Sequence, residues 1–137
     1  MGPSSRRFPT RSREAWTPRA RSGYHPPALA TVDELLALDL RVGTIVAAEV
    51  LRGARTPAYA LKVHFGTLGT RDSSAEIADL YEPADLVGLQ VVAVVNLPSS
   101  RVAGLDSAAV VLAVGNGRGE RVLVIPERPV PDGGRVG

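Results

Sequence analysis

Hydrophobic and polar positions change their spacing along the chain, and each change predicts an element. Thr31-Val32-Asp33-Glu34 has the S/T-x-x-E spacing of a capping box, in which the threonine hydroxyl and the glutamate carboxylate each take a free N–H of a first helical turn. Leu35, Leu36 and Leu38 follow, which predicts a helix of about two turns. From Leu40 the period falls to two. Leu40, Val42, Thr44, Val46, Ala48 and Val50 alternate with Arg41, Gly43, Ile45, Ala47 and Glu49, a long strand in which Gly43 predicts a bulge or a sharp coil. Residues 52–57 read as a loop. A second strand puts Tyr59, Leu61, Val63 and Phe65 on one face and Ala60, Lys62 and His64 on the other. A third strand is predicted over 72–77, and a helical turn over 84–87 that Gly88 ends. Residues 89–96 are almost continuously apolar, as in a central strand. Residues 108–114 and 121–125 flank the polar, glycine-rich run Gly115 to Glu120 and read as a hairpin. Pro126, Pro129 and Pro131 end regular structure.

Five or six short strands and a short N-terminal helix within about 100 residues predict an all-β fold, a small closed or partly closed barrel of the OB type. The 137 residues suffice for one domain. Composition then divides them. Residues 1–30 hold Pro3, Pro9, Pro18, Pro26 and Pro27 but neither valine nor isoleucine, too little apolar surface to offset ordering entropy. They are expected to be a disordered arginine- and proline-rich tail, with the folded domain over 31–137. The charge divides at the same place. Six arginines and Glu14 give the tail +5, while 31–137 carries −3. The sequence pI near 9.5 therefore describes the tail, and it does not license nucleic-acid binding by the folded part.

Several chemistries lack their residues. There is no cysteine, hence no disulfide, thiolate metal site or cysteine nucleophile, and the expected compartment is the cytoplasm. Ser5-Arg6-Arg7-Phe8 has paired arginines, but Pro9, Arg11, Arg13 and Glu14 stand where an export signal needs an apolar run. His25 and His64 lie too far apart in sequence to suggest a metal pair. Asp72, Glu76 and Asp79 read as solvated carboxylates, and Ser73-Ser74 lacks the setting of an activated serine. Gly115, Gly117 and Gly119 precede a strand rather than the helix a phosphate loop requires. A binding module is left. After residue 30 its aromatics are only Tyr59, Phe65 and Tyr81, and the first two share a face with Leu61 and Val63, as core residues do.

Longer motifs are more specific. Leu38-Asp39-Leu40-Arg41-Val42-Gly43-Thr44-Ile45-Val46 resembles the opening strand of the tRNA-binding-domain family, which includes stand-alone tRNA-binding proteins and domains appended to some methionyl-tRNA synthetases. Ser73-Ser74-Ala75-Glu76-Ile77, Val92 to Pro98, Arg101-Val102-Ala103-Gly104-Leu105 with Ser107, and Pro129 to Val136 resemble segments of its CsaA branch. The resemblance covers about residues 34–137. It implies an OB-fold homodimer that binds tRNA, uses no cofactor and is not an enzyme. For the CsaA branch it also implies an export-related chaperone that binds unfolded preproteins. The RNA contacts it implies are Arg52, Arg55, Lys62, Asn96, Arg101 and Ser107. Asn96 and Ser107 could equally satisfy backbone groups in turns. The sequence departs from the family where basic residues are usual. Ser99 and Ser100 stand where a proline and a basic residue are common, Asp106 where lysine is frequent, and Ala60 where a basic residue can occur. RNA and peptide stay open as ligands, because both readings use one fold.

Overall fold

The computed structural model describes residues 27–137. The expected disorder of the tail thus concerns residues that lie, up to 26, outside the described ones. The first element is helix α1 (Val32–Ala37), entered through the predicted capping box: Thr31 Oγ1 accepts from the Glu34 N–H at 3.1 Å and Glu34 Oε1 accepts from the Thr31 N–H at 2.8 Å.

Strand β1 (Leu40–Val50) organises everything after it. It pairs antiparallel with β4 (Gln90–Val94) through Leu40 to Thr44, and with β2 (Tyr59–His64) through Thr44 to Val50. Serving two partners along one strand requires a strong coil. The bulge that helps to supply it lies between Ile45 and Ala47, not at Gly43. Gly43 serves the core instead. A Cβ there would sit 2.7 Å from the Phe65 ring and from a Val63 methyl, so the missing side chain lets the core press on the strand backbone.

Strand β2 turns through a 3₁₀ segment (Gly66–Leu68) directly into β3 (Thr70–Ala75), with His64 facing Thr70. This tight return starts β3 two residues earlier than the 72–77 expected. Helix α2 (Pro83–Leu86) follows and buries Leu86 completely. Beyond β4 comes an element the sequence pattern did not predict, a ribbon of β5 (Ser100–Val102) and β6 (Leu105–Ser107). The predicted strand over 108–114 is two pieces, β7 (Val110–Val111) and β8 (Ala113–Gly115), because the chain changes partner at Leu112. β7 pairs with β4, whereas β8 pairs with β9 (Arg121–Leu123). Leu112 joins them: its N–H donates to the Val92 carbonyl, and its own carbonyl accepts from the Val124 N–H.

The main sheet runs β3-β2-β1-β4-β7. It nearly closes into a barrel where the Ala108 N–H donates to the Asp72 carbonyl at 2.8 Å and the Ser74 N–H to Ser107 Oγ at 3.1 Å. Ile45, Leu61, Val63, Phe65, Ile77, Leu86, Val91 and Ala93 fill the interior. Tyr59 and Phe65 belong to this core, as their shared face predicted. Tyr59 donates its hydroxyl to the Tyr81 carbonyl at 2.6 Å; burial, with a smaller push from Glu82, raises its phenol above the usual tyrosine range. A C-terminal strap runs back along β1: Gly133 N–H donates to the Val42 carbonyl, Val42 N–H to the Gly134 carbonyl, and Val136 N–H to the Leu40 carbonyl.

Candidate nucleic-acid interface

Two loops meet at one edge of the barrel. The β1–β2 loop carries Arg52 and Arg55. Its Gly53, with φ at +88°, comes so close to the tip of the β5–β6 ribbon that a Cβ on it would lie 3.8 Å from that of Ala103. Thr56 Oγ1 ties the same loop to Glu76 at 2.9 Å. The ribbon tip is tight, with Ala103 at φ +50° and Gly104 at φ +86°, as a two-residue turn of the primed kind requires. The sequence thus spends a strained alanine to bring the ribbon to the loop.

Below this meeting point a shallow groove of about 200 Å³ runs across the outer face of β1, β2 and β3. Ala47, Ala48 and Ala60 keep it low, Lys62, Asp72 and Glu49 supply its polar atoms, and Leu105 closes one side. Lys62 and Asp72 face each other across β2 and β3, with Nζ donating to Oδ1 at 2.9 Å. Arg101 and Asp106 face each other across the ribbon, with Nη1 donating to Oδ1 at 2.8 Å. This second pair projects from the solvent side of the ribbon, the side away from the buried Ser107. Among the described residues no salt bridge engages Arg52 or Arg55.

The six expected contact residues therefore separate. Lys62 lines the groove, Arg52 and Arg55 stand in the loop that meets the ribbon, and Arg101 lies on the ribbon's solvent side. Asn96 and Ser107 engage backbone groups elsewhere in the fold. Asn96 Oδ1 accepts from the Asp39 N–H and its Nδ2 donates to the Ala37 carbonyl, both at 2.8 Å, which fastens the end of α1 to the end of β4. Ser107 is buried, accepts from Ser74 N–H and donates to the Ala109 carbonyl at 3.3 Å. Glu49 and Leu105 join the site without having been singled out, and Asp72, read from the sequence as a solvated carboxylate, joins it as the partner of Lys62. Asp72 as the partner of Lys62 follows only from the β2–β3 register.

A larger hollow of about 780 Å³ opens on another side, between the start of β4 and the chain that leads to the strap. Leu89, Ile125, Pro126 and Pro129 give it an apolar lining, with Thr44 and Gln90 at its inner end. At its rim Arg128 donates to Glu127 and holds that carboxyl below the usual range, so its own charge is already partnered.

Residues 40–135 match the model of the tRNA binding domain family. The chain belongs to the tRNA-binding-domain family. It is 41% identical over 101 residues to a methionine–tRNA ligase of Methanothrix thermoacetophila, covering 74% of this chain and 14% of the ligase. It therefore spans about one-seventh of that relative's length. Among solved structures it is similar to the chaperone CsaA of Bacillus anthracis, at 44% identity and TM-score 0.76, over 80% of this chain and all of that one. It is also similar to the CsaA chaperone protein of Picrophilus torridus, at 33% identity and TM-score 0.74, with the same coverage. The tRNA-binding-domain family and its CsaA branch were both legible in the motifs.

Proposed function

We infer that this member of the tRNA-binding-domain family binds tRNA, or RNA folded like it, through backbone charge and shape, and that it acts as a binding module rather than a catalyst. The observation that supports this is the junction of the β1–β2 loop with the β5–β6 ribbon, which brings together one element bearing the exposed Arg52 and Arg55 and another bearing the exposed Arg101. Exposed side chains on short, fixed elements suit phosphate contacts, which position a folded RNA without reading bases. Base stacking is the poorer fit. Tyr59 and Phe65 are buried, Tyr81 is half-buried, and the groove floor is alanine. The test is a titration of unfractionated tRNA against the full chain at two salt concentrations, with a single strand of equal length in parallel. Binding should weaken steeply with salt and favour the folded RNA. Equal binding of both RNAs would reduce the barrel to a carrier for the basic tail.

The apolar hollow favours a second reading, an export-related chaperone that holds unfolded preproteins or peptides. That ligand needs apolar lining and no basic surface. An unfolded preprotein that is kept from aggregating without displacing tRNA would support it.

The same proposal makes the protein a cytoplasmic homodimer. Helix α1 buries none of its residues, and it is held to the barrel by polar ties such as Arg135 Nη2 to the Leu36 carbonyl at 2.7 Å. A six-residue helix gains little from propensity alone, so its apolar side wants a partner. Leu35 and Leu36, exposed by 49% and 37%, and Val122, exposed by 39%, are the surfaces expected in a two-fold contact. Sedimentation at micromolar concentration should give twice the chain mass; a monomer mass would remove the dimer from the proposal.

A further inference from the structure

The cations of the candidate interface are of two kinds, and the difference has a consequence for binding. Arg52 and Arg55 stand in a loop and make no salt bridge among the described residues. Lys62 and Arg101 are each paired with an aspartate directly opposite on the neighbouring strand. These pairs are exposed: 59% and 35% for the Lys62 and Asp72 side chains, 69% and 66% for Arg101 and Asp106. Exposed pairs of this kind contribute little to stability, because water already screens both charges. Neither aspartate side chain makes another hydrogen bond among the described residues. The Asp72 link that helps to close the barrel goes through its backbone carbonyl, which the side chain does not share. Folding thus has little use for either carboxylate.

We propose that Asp72 and Asp106 are built-in competitors of the RNA phosphate, which occupy Lys62 and Arg101 in the free protein and must be displaced for tight binding. This rests on the RNA reading of the interface and adds to it how the site sets its own affinity. A phosphate that approaches Lys62 or Arg101 exchanges one anion for another, with the displaced carboxylate still close by, so it is less fully neutralised and the RNA gives up fewer of its counterions than at a bare cation. Two consequences follow. Affinity at the barrel is held down, since only Arg52 and Arg55 attract phosphate at full strength. Selection for dense polyanions is sharpened, since an isolated anion gains little by displacing a tethered carboxylate, whereas a folded RNA presents several phosphates at once. The exchange needs only side-chain rotation, because all four groups point outward from strands whose hydrogen bonding stays as it is.

The experiment measures tRNA binding by the full chain and by D72N, D106N and the double variant over a series of salt concentrations. The tail is common to all four, so differences between them report the pairs. Each substitution should raise affinity several-fold at low salt and steepen the log–log salt slope by up to about 0.7–0.9, the increment of one phosphate contact made in full. At matched tRNA occupancy, inorganic phosphate should displace tRNA from the double variant at lower concentration than from the parent. Unfolding midpoints should stay level, and D106N serves if D72N disturbs the sheet. Unchanged affinity and slope in both single variants, while the parent binds tRNA and R101A weakens it, would overturn the proposal and leave the RNA reading standing. If the parent and all three variants fail to bind tRNA, the RNA reading falls and this inference with it.

Discussion

Phe65→Ala should lower the unfolding free energy by about 3–5 kcal/mol, the usual cost of emptying a large aromatic site in a core. The ring is fully buried in the core cluster and lies on one side against the bare backbone of Gly43, where the lost volume adjoins a strand with no side chain to fill it. Urea unfolding of the two chains, with the slope held common, measures the difference. Gly43→Ala tests the same contact from the other side. Its methyl would meet the ring and Val63 at 2.7 Å, and forcing it in should cost about 1–3 kcal/mol. In the Phe65→Ala background that cost should shrink, because the ring it strikes is gone. A Phe65→Ala loss below about 1 kcal/mol would mean that the barrel wall is far more compliant than its packing indicates.

Removing the three arginines at the loop junction should have the largest effect on binding. An exposed charge-assisted contact to phosphate is worth on the order of 1 kcal/mol once water screening is allowed for, so Arg52→Ala, Arg55→Ala and Arg101→Ala together should cost roughly 100-fold or more in tRNA affinity. The salt slope should fall by about 2, since Arg52 and Arg55 release counterions fully and Arg101 only in part. Asn96→Ala is the control. It should lower stability by about 1–2 kcal/mol, because the Asp39 N–H and the Ala37 carbonyl lose their partner, while tRNA affinity stays near that of the parent. A binding loss in Asn96→Ala that equals the triple variant's would move the interface to the α1 end of the barrel.

What the sequence disclosed follows the range of the forces involved. The capping box at Thr31 and the period-two faces of β1 and β2 depend on residues within a few positions of one another, and both were legible. The ribbon of β5 and β6 was not. Its residues, Ser100 to Ser107, show no apolar alternation, and its turn places an alanine where glycine or asparagine would advertise a positive φ. Gly43 was legible as special but not as what, since the ring that needs its bare backbone belongs to Phe65, on the far side of the β1–β2 loop. The candidate site shows the same limit more sharply. Arginines could be picked out by type, yet which of them are already occupied depends on cross-strand register. Asn96 and Ser107 carry the side chains of RNA contacts in the family pattern, but their hydrogen bonds run to backbone groups 57, 59 and 33 residues distant or just beyond the next residue, where no local pattern points.

The C-terminal strap also protects the molecule from itself. β2 pairs with β1 only from Thr44 onward, so the backbone groups of Leu40 and Val42 on that side have no strand beside them. Gly133, Gly134 and Val136 supply the missing partners, and the Thr44 hydroxyl on Asp132 at 2.6 Å pins the approach. Peeling those few residues away would lay bare a ready template for another chain's strand, at the point where the longest strand of the barrel begins. Among the described residues the strap is therefore the guard on that edge, and removing residues 133–136 should open the protein to edge-to-edge pairing with other strands.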